Sequence, residues 1–132
     1  MPFTATLTND GRCLFCVGSG VLRAQEIIDT KGDLLATEDR VRGISFGHID
    51  FTDVTSVDIS SDDIRRIADL DKRLALLAPH MVVAIIAPAA VVFGLSRMWE
   101  TFAESTGWTI AVKRSKAEAD AWVESRLAAS CD

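Results

Sequence analysis

Two cysteines lie three residues apart, which is the spacing of redox dithiols and of many zinc ligands. Cys13 and Cys16 enclose Leu14 and Phe15. Redox and zinc sites place such a pair on a turn or at the start of a helix, where both sulfur atoms converge. Here the pair falls inside a predicted strand, in which residues three apart point to opposite faces. We therefore expect two buried free thiols rather than a redox or metal site.

Acidic residues crowd the segment that follows the third predicted strand, at Asp50, Asp53, Asp58, Asp62 and Asp63. Carboxylates at the carboxyl end of a parallel strand can hold Mg²⁺, so metal-dependent phosphoryl chemistry at the first three is one hypothesis. A phosphoacceptor receiver domain would also need an acidic pair after its first strand, where this chain has Val-Gly-Ser at 17–19. The preferred interpretation is a turn at Asp53, with acidic residues at the positive end of the next helix dipole.

Two serines, Ser60 and Ser61, lie where this predicted loop meets a helix. A phosphate there would face backbone N–H groups and the helix dipole, which favours phosphorylation electrostatically. Ser60 followed by Asp63 also fits a helix N-cap, and this is the interpretation we prefer. Asp53, Asp58, Ser60 and Ser61 together form the candidate regulatory loop.

The remaining polar residues form no recognisable catalytic set. His48 and His80 have no cysteine, serine or acidic partner at a telling spacing. Gly18-Ser19-Gly20 lacks the third glycine of a dinucleotide-binding loop and the Lys-Ser/Thr of a P-loop. The sequence therefore predicts a protein that is not an enzyme and that has no metal ion or cofactor.

Length and charge narrow the range of functions further. The chain has 132 residues, enough for a single domain over 1–132, with 19 acidic and 14 basic residues and a net charge of −5. Without a basic stripe, neither nucleic acid nor an anionic membrane surface is an expected partner. The first residues show no secretory signal pattern and the cysteine count is odd, so we expect a cytoplasmic protein.

Apolar periodicity and turn residues predict an α/β fold. An Asp-Gly turn at 10–11 joins two strands into a hairpin, and strands then alternate with helices, which implies parallel pairs. We expect a single-layer mixed five-stranded sheet, an N-terminal hairpin followed by parallel β-α units, flanked by about four helices. The predicted strands are 3–8, 12–18, 44–51, 81–87 and 108–113, and 53–58 is predicted to be a loop.

The least polar segment, 81–95, is shorter than the roughly 20 residues that a membrane-spanning helix needs, and Pro88 interrupts it. We divide it into a strand buried on both faces, 81–87, and a helix, 89–104. This helix is apolar around most of its circumference, and such a helix needs cover on more than one side. Val92, Phe93, Met98 and Trp99 are the candidate interaction surface, covered by a partner or a ligand. Alternatively, the C-terminal helix supplies the cover through Trp122.

Three segments resemble the SpoIIAA-like family, small bacterial domains of the STAS and SEC14 type. They read IDFTDVTSVDISSDDI at 49–64, VAIIAP and VFGLSRM within 83–98, and AEADAW at 117–122. The resemblance implies a mixed sheet packed by helices. It also implies partner binding that phosphorylation of a serine after the third strand can control. Relatives carry an Asp-Ser-Ser/Thr-Gly-type turn there, whereas this chain lacks the glycine and has acidic residues that would repel a phosphate.

The sequence therefore leaves two hypotheses about the function open. The first is a non-enzymatic, STAS-like interaction or regulatory module that binds a protein partner or a second copy of itself through helix 89–104 and the candidate regulatory loop. The second is a carrier or sensor of a small apolar ligand, held between helix 89–104 and the sheet as in SEC14-like relatives.

Overall fold

In the computed structural model, which describes residues 3–8 and 10–126, five strands and five α-helices alternate after an N-terminal hairpin. The strands are β1 (Phe3–Leu7), β2 (Cys13–Arg23), β3 (Phe46–Asp58), β4 (Val82–Ile86) and β5 (Thr109–Lys113). The helices are α1 (Ala24–Leu35), α2 (Glu38–Arg42), α3 (Ser61–Leu77), α4 (Ala90–Phe102) and α5 (Lys116–Arg126), and a 3₁₀ turn, Glu104–Thr106, follows α4.

The strands form one sheet in the order β1-β2-β3-β4-β5, with β1 antiparallel and the other neighbours parallel. The predicted mixed five-stranded sheet is therefore confirmed. The Asp-Gly hairpin is confirmed as well, because Leu7 pairs with Leu14 and Gly11 adopts a φ of 71°, which glycine accepts without strain. The strand expected around 81–87 is almost fully buried in β4, as its unbroken apolar sequence indicates.

The helices divide unequally between the two faces of the sheet. Because each parallel strand follows its neighbour in sequence, right-handed crossovers carry α1, α3 and α4 to one face, where α3 packs against both others. The main hydrophobic core fills the space between these helices and the sheet. Helix α5 packs on β4 and β5 at the other face, where Trp122 and Val123 contact a smaller cluster around Phe46.

The face beneath α5 is only partly covered. Phe15 and His48 are half-buried with ring centroids 5.5 Å apart, and Val17 is 45% exposed. Burial lowers the pKa of His48, although the nearby Asp50 and Asp120 act in the opposite direction. The same face carries Cys13, whereas Cys16 lies in the main core, so the two cysteines point to opposite faces as expected. Cys16 is a buried free thiol, but Cys13 is disulfide-bonded, so the prediction of a free thiol was wrong for Cys13.

Three expectations about the elements were wrong. The second strand, predicted to end at residue 18, continues to Arg23. The predicted loop 53–58 is a continuation of β3, which pairs with β2 as far as Asp58. Beyond Gly18 and Asp50 this pairing has no β1 or β4 beside it, so β2 and β3 extend as a two-stranded ribbon. The helix count was also too low, because the short helix α2 follows α1.

Candidate functional site

The four residues of the candidate regulatory loop occupy a strand, a helix cap and a helix start. Asp53 and Asp58 are exposed residues of β3 rather than loop residues. The extended strand separates Asp50 from Asp58 by roughly 25 Å, at about 3.3 Å per residue. The metal hypothesis at Asp50, Asp53 and Asp58 is therefore wrong in its geometry, because carboxylates so far apart cannot share an ion.

Ser60 is the N-cap of α3, as its spacing from Asp63 predicts. The hydroxyl oxygen of Ser60 accepts the backbone N–H of Asp63 at 3.1 Å, and Oδ2 of Asp63 accepts the backbone N–H of Ser60 at 3.0 Å. This reciprocal arrangement is a capping box, which satisfies two backbone donors that the helix leaves unpaired. Ser61, the first residue of α3, is exposed.

Two of the four residues of the candidate interaction surface point from α4 into the core. Val92 and Trp99 are only 3% and 6% exposed, so these two assignments were wrong as surface residues. They lie on the side of α4 that faces the sheet, seven residues apart and therefore two turns apart on one face. Phe93 and Met98 are half-buried, and the large apolar residue of this helix with the greatest exposure is Val91, at 65%.

Arginine side chains, and not the C-terminal helix, cover the flanks of α4. The guanidinium of Arg114 lies 5.1 Å from the ring centroid of Phe93, and it donates two hydrogen bonds to the carbonyl of Pro88. The guanidinium of Arg65 lies 4.7 Å from the ring centroid of Phe102. The expectation that Trp122 supplies this cover was wrong, because α5 packs on the opposite face of the sheet.

A cavity of about 70 Å³ lies beneath α4 and is the most distinctive feature of the helical face. We name it the α4 cavity. Helix α4 contributes Val92, Leu95, Ser96 and Trp99 to its wall, and the sheet contributes Ile49, Phe51 and Ile85. Ile59 and Ile64, on either side of Ser60, close the opposite side. The cavity therefore joins the two regions that the sequence singles out, helix 89–104 and the start of α3.

A second cavity, of about 50 Å³, adjoins the first. The two share Phe3, Lys31, Ile49 and Trp99 in their walls. Cys16 also lines the second cavity, and burial raises the pKa of its thiol to about 11. A thiol with so high a pKa is protonated at neutral pH and is a poor nucleophile, so Cys16 offers no redox or nucleophilic chemistry in this state.

A buried ion pair lies in the wall of the second cavity, and its lysine also lines the α4 cavity. Nζ of Lys31 on α1 lies 2.7 Å from Oδ1 of Asp71 on α3, and the indole N–H of Trp99 on α4 donates to Oδ2 at 2.7 Å. Asp71 is 1% exposed. Burial raises the pKa of its carboxyl, while Lys31 and Trp99 act in the opposite direction. The three helices of this face therefore meet at one carboxylate.

Ser96 is the second polar group of the α4 cavity. It is only 6% exposed, yet among the described residues its hydroxyl has no hydrogen-bond partner. Apart from Lys31 and Ser96, the side chains that line this cavity are hydrocarbon or aromatic. The cavity therefore combines an apolar wall with one ammonium and one unused hydroxyl.

The sequence contains a signal for Asp71 that apolar periodicity alone overlooks. The buried stripe of α3 contains Ile64, Ile67, Ala68, Leu74 and Ala75, and Asp71 fills the gap in this stripe. A charged residue at a core position of a helix indicates a buried partner. Ser96 interrupts the apolar run of α4 in the same way. Nothing in the spacing of Lys31 identifies it as the partner of Asp71, because the pair lies 40 residues apart.

Solved structures with the same arrangement establish the fold. An uncharacterised protein of the DUF3478 family with a SpoIIAA-like fold, from Shewanella loihica PV-4, is 18% identical, with 91% of this chain and 90% of that chain covered and a TM-score of 0.52. The chain has a SpoIIAA-like fold. The anti-sigma factor antagonist SpoIIAA in its unphosphorylated form is 11% identical, with 92% and 97% covered and a TM-score of 0.57.

These identities relate the chain to the SpoIIAA-like fold and to nothing more specific. The chain matches no protein-family model and no curated protein. Among the helices within residues 3–8 and 10–126, none has the length and apolar character needed to cross a membrane.

Proposed function

We propose that this SpoIIAA-like domain is a non-enzymatic protein-interaction module. The observation that carries the proposal is an exposed apolar patch on α4, where Val91 is 65% exposed and the half-buried Met98 lies two turns further along the same side of the helix. The similarity in fold to SpoIIAA, an anti-sigma factor antagonist, supports a regulatory role. The cytoplasmic location expected from the sequence stays a prediction.

The proposed surface consists of Val91 and Met98 on one side of α4, whereas Phe93 lies on the other flank of the helix beneath Arg114. Asp58 at the end of β3 and Ser61 at the start of α3 lie across the α4 cavity from α4, since Ile59 and Val92 line that cavity together. These two residues would form the second part of the proposed interaction surface. Phosphorylation at Ser61 would add negative charge beside Asp62 and Asp63, so it would weaken binding to an acidic partner and leave the Ser60 cap in place.

The chain offers a matched pair of variants that tests this surface. Val91 and Leu76 are both exposed apolar helix residues, at 65% and 82%, on α4 and α3 respectively. Sedimentation velocity of the two variants measures self-association, and a photo-crosslinking residue placed at position 91 or 76 of the otherwise unchanged protein measures contact with other proteins in cells. We expect Val91→Asp to abolish any self-association and Leu76→Asp to preserve it, and we expect crosslinks from position 91 but not from position 76. Equal behaviour of the two variants would contradict the surface assignment.

A second function, the carriage or sensing of a small apolar ligand, is favoured by a separate observation. The α4 cavity separates α4 from the sheet, with mainly hydrocarbon and aromatic walls. Native mass spectrometry of freshly purified protein tests this role. A co-purified small-molecule mass that disappears when Ser96→Leu fills the cavity would support it, whereas a bound mass that survives in Ser96→Leu would place the ligand elsewhere.

A further inference from the structure

The α4 cavity limits the size of any molecule that it holds in the present conformation. An apolar cavity of about 150 Å³ holds a benzene ring, which has six non-hydrogen atoms, and neither the α4 cavity nor the one adjoining it reaches that value. On the same scale a cavity of about 70 Å³ holds about three non-hydrogen atoms. A ligand of about three non-hydrogen atoms therefore fits without movement of α4.

The two polar groups of the cavity retain unused hydrogen-bonding capacity. An ammonium carries three N–H donors, and among the described residues that of Lys31 donates one hydrogen bond, to Asp71. Ser96, which is 6% exposed, lines the same cavity, and its hydroxyl has no protein partner in the described part of the chain. A ligand that accepts a hydrogen bond from this hydroxyl would use that free capacity.

The charge of the site determines the charge of its ligand. Lys31 and Asp71 form a pair with no net charge, and both oxygen atoms of Asp71 already accept a hydrogen bond. An anionic ligand would add an uncompensated negative charge in an apolar cavity, because the Lys31 ammonium is already paired with Asp71. A cationic ligand would face the Lys31 ammonium instead. The site therefore suits a neutral molecule.

We infer that the α4 cavity binds a small neutral molecule with an apolar body and one hydrogen-bond acceptor, which Ser96 and Lys31 recognise. The inference rests on the proposed carrier or sensor role and adds the chemical class of the ligand. Small ketones, aldehydes, ethers and alcohols belong to this class. An apolar molecule of the same shape would leave both donors unused.

Two probes of equal shape test the inference. Dimethyl ether and propane each have three non-hydrogen atoms, and they differ in having an ether oxygen or a methylene group at the centre. Each is titrated in sealed tubes into the wild-type protein and into Ser96→Ala. Methyl NMR shifts of Ile85, Val92 and Leu95, which line the cavity, report binding, and those of Val123 on the opposite face serve as the internal control.

The expected result is selective. Ser96→Ala removes only the hydroxyl, so it weakens dimethyl ether binding by about 2- to 10-fold, the usual effect of one hydrogen bond, and changes propane binding by less than about 2-fold. Lys31→Met weakens dimethyl ether binding in the same direction, and Lys31→Arg, which keeps the donors, restores it. Ser96→Leu, which fills the cavity, abolishes the shifts from both probes.

The contrary outcomes separate this inference from the carrier role. If both probes bind and Ser96→Ala changes their affinities equally, the cavity is a general apolar site and recognition by Ser96 is wrong. If neither probe moves the cavity methyls at millimolar concentration, the ligand class and the carrier role both fail. Because Ser96 makes no hydrogen bond within the described residues, Ser96→Ala leaves the fold intact and keeps the comparison valid.

Discussion

Asp71 occupies a position on the buried stripe of α3 where the pattern of neighbouring residues favours an aliphatic side chain. Removal of a carboxylate from water costs several kcal/mol, and an ion pair offsets this cost only with good geometry and further hydrogen bonds. Here Lys31 and Trp99 supply one donor to each oxygen atom at 2.7 Å. The pair therefore contributes to the relative placement of α1, α3 and α4 more clearly than to the free energy of unfolding.

Trp99→Phe tests the contribution of the indole hydrogen bond at this carboxylate. A hydrogen bond to a charged group stabilises by about 1.5–3 kcal/mol, whereas one to a neutral carbonyl stabilises by about 0.5–1.5 kcal/mol. Trp108→Phe is the matched control, because its indole donates to the neutral carbonyl of Ala78 at 2.7 Å. We expect urea unfolding to show a larger loss for Trp99→Phe, by about 1 kcal/mol. Equal losses would mean that the Asp71 bond has no special strength.

Two carboxyl groups should titrate on opposite sides of the ordinary aspartate pKa of 3.8. Burial raises the pKa of Asp71, whereas the hydrogen bond from the Ser60 backbone N–H lowers the pKa of Asp63. Carboxyl ¹³C shifts followed against pH in one sample should give a midpoint above 3.8 for Asp71 and below it for Asp63. The reverse order would mean that the pair with Lys31 outweighs burial.

The same two shifts make opposite contributions to stability. The contribution of Asp71 is fully present below pH 3.8 and is lost as the pH rises through its raised folded-state pKa. The contribution of Asp63 is present above pH 3.8 and is lost as the pH falls through its lowered folded-state pKa. Asp71→Asn should therefore remove the loss of stability that accompanies ionisation of Asp71 as the pH rises, and it should leave the pH dependence due to Asp63 unchanged.

The start of α3 allows the cap to be separated from the candidate regulatory serine. Ser60→Ala removes the acceptor for the Asp63 N–H and should destabilise the protein by about 1 kcal/mol, the typical cost of a lost N-cap. Ser61→Ala changes an exposed residue outside the cap and should stay within about 0.5 kcal/mol of wild type. Denaturant midpoints measure both. A larger effect at Ser61 would show that its hydroxyl has a structural role.

Element types followed from the sequence more reliably than element lengths did. The hairpin, the buried β4 and the capping box each have a short-range signal in turn, apolar or capping residues. The extension of β3 has none, because its inward-facing residues, the buried Phe51 and Val54 and the half-buried Val57, lie three apart, whereas a regular strand alternates with a period of two. Two register shifts between β2 and β3 produce this spacing, since β3 carries one extra residue at each.

The candidate site depended on contacts that no local pattern encodes. The apolar pattern of α4 predicted a helix that needs cover on more than one side. The pattern does not identify the side chains that supply this cover, which are Arg114 after β5 and Arg65 on α3. Placement of α5 on the opposite face depends on the order of the strands in the sheet. Long-range pairing of this kind, as between Lys31 and Asp71, requires the three-dimensional arrangement of the helices.

The architecture of the whole sheet predicts an uneven resistance to local opening. Residues 46–50 of β3 pair with β2 on one side and β4 on the other, whereas residues 53–58 pair with β2 alone. Amides on the outer edge of the ribbon have no strand partner and exchange with solvent through small openings, while central amides need larger ones. We expect protection factors, measured by hydrogen-exchange NMR, to fall by at least about 100-fold between these two parts of β3. Uniform protection as far as Asp58 at every protein concentration would contradict the ribbon, and protection that rises with concentration would place a second copy along its open edge.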